Sequence, residues 1–186
     1  MKRARMNGAG MKRLRKALSG AALILAMIGP FGLASARADE AMIEGCLKAA
    51  AELHQVPAGV LVLLMSVEDG RLGEVSQNTN RTVDIGPMQV NDTWVPMIAG
   101  HWGASPDAAY RALRDNFCAN VEGGAWILRQ ALDEAHGDLW KGVALFHSHD
   151  PGHKLEYMQL VYSHAMRLKR ESARELASAD ANGGGS

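Results

Sequence analysis

Glu68 ends a run in which Val60 to Val67 carries no charge, and sixteen residues later the chain reads Asp84-Ile85-Gly86-Pro87-Met88-Gln89-Val90-Asn91. A carboxyl behind such an apolar run loses hydration, and the negative end of a helix dipole adds to the effect. Both favour the protonated acid. A carboxylic acid held neutral near pH 7 can protonate a leaving group. Taken alone, a Glu at a helix end is more often simply solvated. A polar block follows. By residue type alone Gln89 and Asn91 suit loop and helix capping, and Gly86 lets the backbone turn tightly or approach a ligand. No second acid is obviously paired with Glu68.

The elements that must position these residues read as helices. Asp39 to His54 has apolar residues at three and four (Ile43, Cys46, Leu47, Ala50, Leu53), with Asp39 as its cap. Pro57 suits the first turn of a helix running to Glu68; a strand over Val60–Val67 is the rival reading. Asp69 to Thr82 is a polar loop of functional length. A helix is predicted after Pro87, ended by Gly100 and Gly103, and a short one from Ser105-Pro106-Asp107 to Arg114. Asn116 to His136 is a helix with Gly123-Gly124 inside it, which demands a close neighbour. Helices over Leu139–Phe146 and Leu155–Ala177 follow, joined by a polar turn. No strand stands out, and the predicted fold class is all-α.

Residues 1–38 have a basic start, an apolar run over Ala21–Ile28 and Ala36-Arg37-Ala38, the pattern of a secretory signal peptide. The run is short of the roughly 20 residues of a membrane span; an uncleaved anchor is the alternative, and Met11 would also serve as a start. The domain is then 39–170, and 171–186 is a helix end and a disordered tail. Of 20 basic and 20 acidic residues, residues 1–38 hold eight basic and no acidic ones, leaving 12 against 20, a formal −8. That argues against a nucleic-acid partner, which needs a basic stripe, and for a soluble exported protein without stable membrane insertion. Export makes Cys46 and Cys118 a disulfide pair, with two free thiols as the alternative. His147, His149 and His153 with Asp150 have metal-ligand chemistry, but a polar turn explains them as well, and no metal or other cofactor is predicted. Met65, Met88, Met97, Met158 and Met166 read as core or groove packing.

Together, Glu68, the Asp84–Asn91 block with Trp94 and Pro96, Cys118-Ala119-Asn120-Val121, Gly124-Ala125-Trp126-Ile127-Leu128, Phe146-His147-Ser148 and Tyr157 resemble the soluble lytic transglycosylase, lysozyme-like family. The chain is most similar to its small exported members that serve conjugative transfer, type IV secretion and pilus systems. The resemblance spans Ile43 to Tyr162. It implies a lysozyme-like domain in the periplasm that acts on peptidoglycan glycan strands, with a secretion or conjugation apparatus as partner. It implies cleavage of the β-1,4 bond between N-acetylmuramic acid and N-acetylglucosamine, leaving a 1,6-anhydro end, with Glu68 as both acid and base. By the same resemblance Gln89 and the Met88 backbone line the sugar groove, and Ser76 lies near a serine that orients the Glu. Two departures stand out. Asp69 replaces a common Ser and would raise the Glu68 pKa if it pointed inward. Phe146 replaces a Tyr, so its hydroxyl's role would be lost or pass to His147. Asn116 and Asn120 read as structural caps. A hydrolase using Asp84 or Asp69 with a water, and a glycan-binding scaffold, are the rival functions.

Overall fold

The computed structural model describes the backbone of residues 30–183 and the side-chain surroundings of residues 39–179. Residues 1–29, which hold the basic start and apolar run of the predicted signal peptide, and 184–186 of the predicted tail lie outside the described residues. The chain divides into two units, 1–37 and 38–186, and the second contains the elements that matter here.

The described residues are mainly helical, with one small sheet. The elements in order are α1 (Pro30–His54), α2 (Ala58–Glu68), β1 (Val75–Gln77), β2 (Val83–Ile85), β3 (Val90–Asn91), a 3-10 turn (Asp92–Trp94), α3 (Val95–Trp102), α4 (Pro106–Asp115), α5 (Phe117–Glu134), α6 (Leu139–His147) and α7 (Pro151–Gly183). Among them no single helix is long and apolar enough to cross a membrane.

α1 begins at Pro30, so Asp39 lies inside it and is not its cap. The chain bends by 118° between α1 and α2, where Gln55 takes a left-handed φ of 53° and Pro57 starts α2. Within α2, Val60, Leu61, Leu63 and Leu64 are buried, and the rival strand over these residues does not form.

The three antiparallel strands, in the order β1-β2-β3, lie where a polar loop and the start of a helix after Pro87 were expected. Each is two or three residues long, too short for a period of two to show in sequence. The helix expected after Pro87 starts only at Val95. Gly86 and Gln89 both take positive φ, 65° and 46°, and turn the chain back into β3. α7 starts at Pro151, one turn earlier than predicted, and runs six residues past Ala177.

Leu61, Leu64, Ile85, Met88, Ile98, Leu113, Leu128, Val121 and Val143 form the centre of the core. The close neighbour required at Gly123-Gly124 is there. A Cβ on Gly124 would lie 2.9–3.0 Å from three atoms of Met88, so the absent side chain lets β2–β3 sit on α5. Leu53, on the apolar spacing of α1, and Met97, read as packing, are instead about half exposed or more.

Candidate active site

Glu68 is the last residue of α2. Asp69 caps the helix in a left-handed conformation, its N–H donating to the Met65 carbonyl at 3.2 Å. This sharp stop leaves the Glu68 side chain at the helix end, partly open, with apolar α2 behind it. Burial pushes its pKa up from 4.5 to about 7; the Asp84 charge adds to the rise, and a hydrogen bond from Tyr157 opposes it. Asp69 is exposed and contributes no such push. The acid that acts on Glu68 is Asp84.

The Tyr157 hydroxyl donates to Glu68 Oε1 at 2.6 Å. Tyr157 is on α7, 3 % exposed, and its own pKa is raised by burial and by the Glu68 charge. It therefore stays a donor across the working range. The His147 ring stacks on Tyr157, with centroids 4.2 Å apart and planes within 1°. Burial and the nearby His153 hold the His147 pKa down, against a small opposite pull from Asp84. The His147 ring thus packs flat on the tyrosine, in surroundings that disfavour its charged form.

The sheet supplies a polar row beside this pair. Ser76 stands opposite Asp84, and Asp84 opposite Asn91. Directly opposed residues share one face of a sheet. Asn91 Nδ2 donates to Asp84 Oδ1 at 2.7 Å and to Thr82 Oγ1 at 2.9 Å. Its Oδ1 accepts from the Thr93 N–H, capping the 3-10 turn. Asn91 is thus a cap that also holds Asp84.

Gln89 donates its amide to the Gly86 carbonyl at 2.8 Å. Gly70, two residues past Glu68, backs directly onto this pair: a Cβ there would fall 2.1 Å from Gly86 O and 2.4 Å from Gln89 Nε2. That contact ties the end of α2 to the β2–β3 turn. Met88 contributes no side chain to the surface. It is fully buried, and its N–H donates to Asn120 Oδ1 at 2.7 Å. Gly86 is required by its left-handed φ and by Asn120, whose Nδ2 would be 2.5 Å from a Cβ; the close approach is to the core, not to open surface. Asn120 is fully buried and donates to the Ile85 and Leu113 carbonyls at 2.8 and 2.9 Å. It is a clamp rather than the predicted cap, whereas Asn116 does cap α5.

The structure brings together Glu68, Tyr157, His147 and Asp84. Ser76 is exposed on β1 and enters the site only as the neighbour of Asp84. Phe146 packs on the core, and the hydroxyl that reaches Glu68 belongs to Tyr157 and not to the residue at 146 or to His147. The remaining histidines diverge: His149 faces Glu134 at 3.0 Å, and the His153 N–H bonds Asp150. Two surface clefts, of about 630 and 380 Å³, are lined by other residues. Cys46 and Cys118 form a disulfide, with Cα atoms 5.0 Å apart.

Neither a protein-family model nor a curated protein matches the chain.

Proposed function

We propose that the protein is a peptidoglycan lytic transglycosylase with a lysozyme-like fold. It is exported to the periplasm, where it opens the wall locally for a secretion or conjugation apparatus. The Glu68–Tyr157 pair carries this reading: a carboxyl titrating near 7, oriented by a buried phenol, beside a face of amide and hydroxyl groups. At neutral pH such a group exists in comparable amounts as acid and base, as a one-residue mechanism requires. Protonated Glu68 gives its proton to the glycosidic oxygen between N-acetylmuramic acid and N-acetylglucosamine, and the bond from that oxygen to C1 breaks. The carboxylate then takes the proton of the muramic C6 hydroxyl as that oxygen bonds to C1. A 1,6-anhydro ring forms, the acid is restored and no water is consumed. Gln89 on the turn and Ser76 on β1 supply polar groups for the sugar's acetamido and hydroxyl groups, while Asn91, its amide already engaged, holds Asp84 and the turn in place.

A second reading is favoured by Asp84. Its charge is felt by Glu68, and Asn91 holds its carboxylate. Two interacting acids suit a lysozyme-type hydrolase, in which water ends the reaction. Mass spectrometry of fragments released from purified peptidoglycan separates the two. Anhydro-muropeptides, absent with Glu68→Gln, are expected. Reducing ends would move the assignment to the hydrolase, and a fully active Glu68→Gln variant would sink both.

A further inference from the structure

A second cluster of chemistry-bearing side chains shares no residue with the Glu68 site. His54 ends α1, His101 lies on α3 and Glu122 on α5. Their ligand atoms all fall within 4.8 Å of one another. His54 Nε2 is 2.6 Å and His101 Nε2 is 3.2 Å from the same oxygen, Glu122 Oε1. We propose that His54, His101 and Glu122 form a binding site for a divalent transition ion of the zinc class, pinning α3 to α1 and α5.

Two imidazoles and one carboxylate are a set that zinc takes, whereas magnesium and calcium prefer all-oxygen shells. Tetrahedral ligation at 2.0–2.1 Å sets ligand atoms roughly 3.3 Å apart. Side-chain shifts of an ångström or so bring this cluster to that spacing. The surroundings are those of an oriented metal site, in which ligands are themselves held. The Trp102 indole N–H donates to the other Glu122 oxygen, Oε2, leaving Oε1 to the histidines. The Trp126 ring stacks on His101, with centroids 5.2 Å apart. His54 is buried, while His101 faces outward. The cleft of about 630 Å³ reaches both histidines, which leaves a fourth position for water. The disulfide sets the frame. Cys46 is two helical turns before His54 on α1, and Cys118 is one turn before Glu122 on α5, so the bridge and the cluster join the same two helices at successive levels.

The test is calorimetric titration of the chelator-treated full chain with zinc chloride, repeated with cobalt(II) to read the visible bands of a tetrahedral ion. One ion per chain is expected. Solvent-facing His101→Gln and Glu122→Gln should each lose stoichiometric binding, with circular dichroism and the disulfide unchanged. Trp102→Phe should weaken binding by about 10- to 100-fold. His149→Ala/His153→Ala, which removes the exposed histidines of the other face, should bind as the parent does. Absence of stoichiometric binding, or parent-like binding by His101→Gln and Glu122→Gln, overturns the site and leaves a hydrogen-bonded imidazole–carboxylate cluster only.

Discussion

At the scale of the residue, Glu68 is governed by two opposed forces, and each can be removed separately. Burial raises its pKa and the Tyr157 hydroxyl lowers it. Tyr157→Phe deletes the hydrogen bond and keeps the ring on which His147 stacks. The Glu68 midpoint should then move above 7, carrying the descending limb of the pH–activity profile with it. A profile unmoved by Tyr157→Phe would mean that another group titrates. The same pKa makes a statement about stability. Between 4.5, the ordinary value, and about 7, the folded chain binds a proton at Glu68 that the unfolded chain has released. Stability is therefore fully present below the ordinary value and falls as pH rises through about 7. The loss is on the order of 3 kcal/mol at most, since one pKa unit is worth about 1.4 kcal/mol and the carboxyl is partly open. Glu68→Gln abolishes this dependence. Urea melts of the two proteins should diverge between pH 5 and 8, with the glutamine variant the more stable at the alkaline end.

At the scale of the element, the site exists because α2 stops sharply and the β2–β3 turn is pinned beside it. Asn120 does the pinning through three buried hydrogen bonds, from the Met88 N–H and to the Ile85 and Leu113 carbonyls. Asn120→Ala removes the buried side-chain partner of all three backbone groups. A single buried group left without its partner costs about 1–3 kcal/mol, so chemical denaturation should show a loss of ~3 kcal/mol or more. Activity should fall even where the variant remains folded, because the turn carrying Gln89 and Asn91 is released. The helices were legible in the sequence because each buries a continuous face or carries its own punctuation. Pro57 starts α2, Ser105 caps α4 and Asn116 caps α5. Glu68 was legible because seven of the eight residues before it are apolar and none is charged. The strands were not, since two or three residues show no alternation, and a Gln at positive φ has no sequence signature. Tyr157 and the His54–His101–Glu122 cluster were hidden for another reason. Their partners lie 89, 68 and 21 residues away, and only the packing of whole helices brings them together.

At the scale of the whole molecule, the helices before and after the site are held by a covalent link as well as by the core. Cys46 on α1 and Cys118 on α5 are separated by 72 residues, and the loop between them contains Glu68, Asp84, Asn91 and the whole sheet. Closing a loop of that length restricts the unfolded chain and is worth about 4 kcal/mol. Breaking it should thus lower stability by roughly that amount, which is large against the 5–15 kcal/mol of a typical domain. The Cys46→Ala/Cys118→Ala pair, compared with the parent by urea unfolding with and without reductant, measures it. The parent should lose its advantage in reductant, and the double variant should be indifferent to reductant. Because the restriction acts mainly on the unfolded chain, the Glu68–Tyr157 contact persists in the reduced folded state. Activity per folded molecule should then be unchanged at low temperature, while the melting point falls. A reduced protein that is folded but inactive would mean instead that the bridge holds α5, and with it Asn120 and the site, in place.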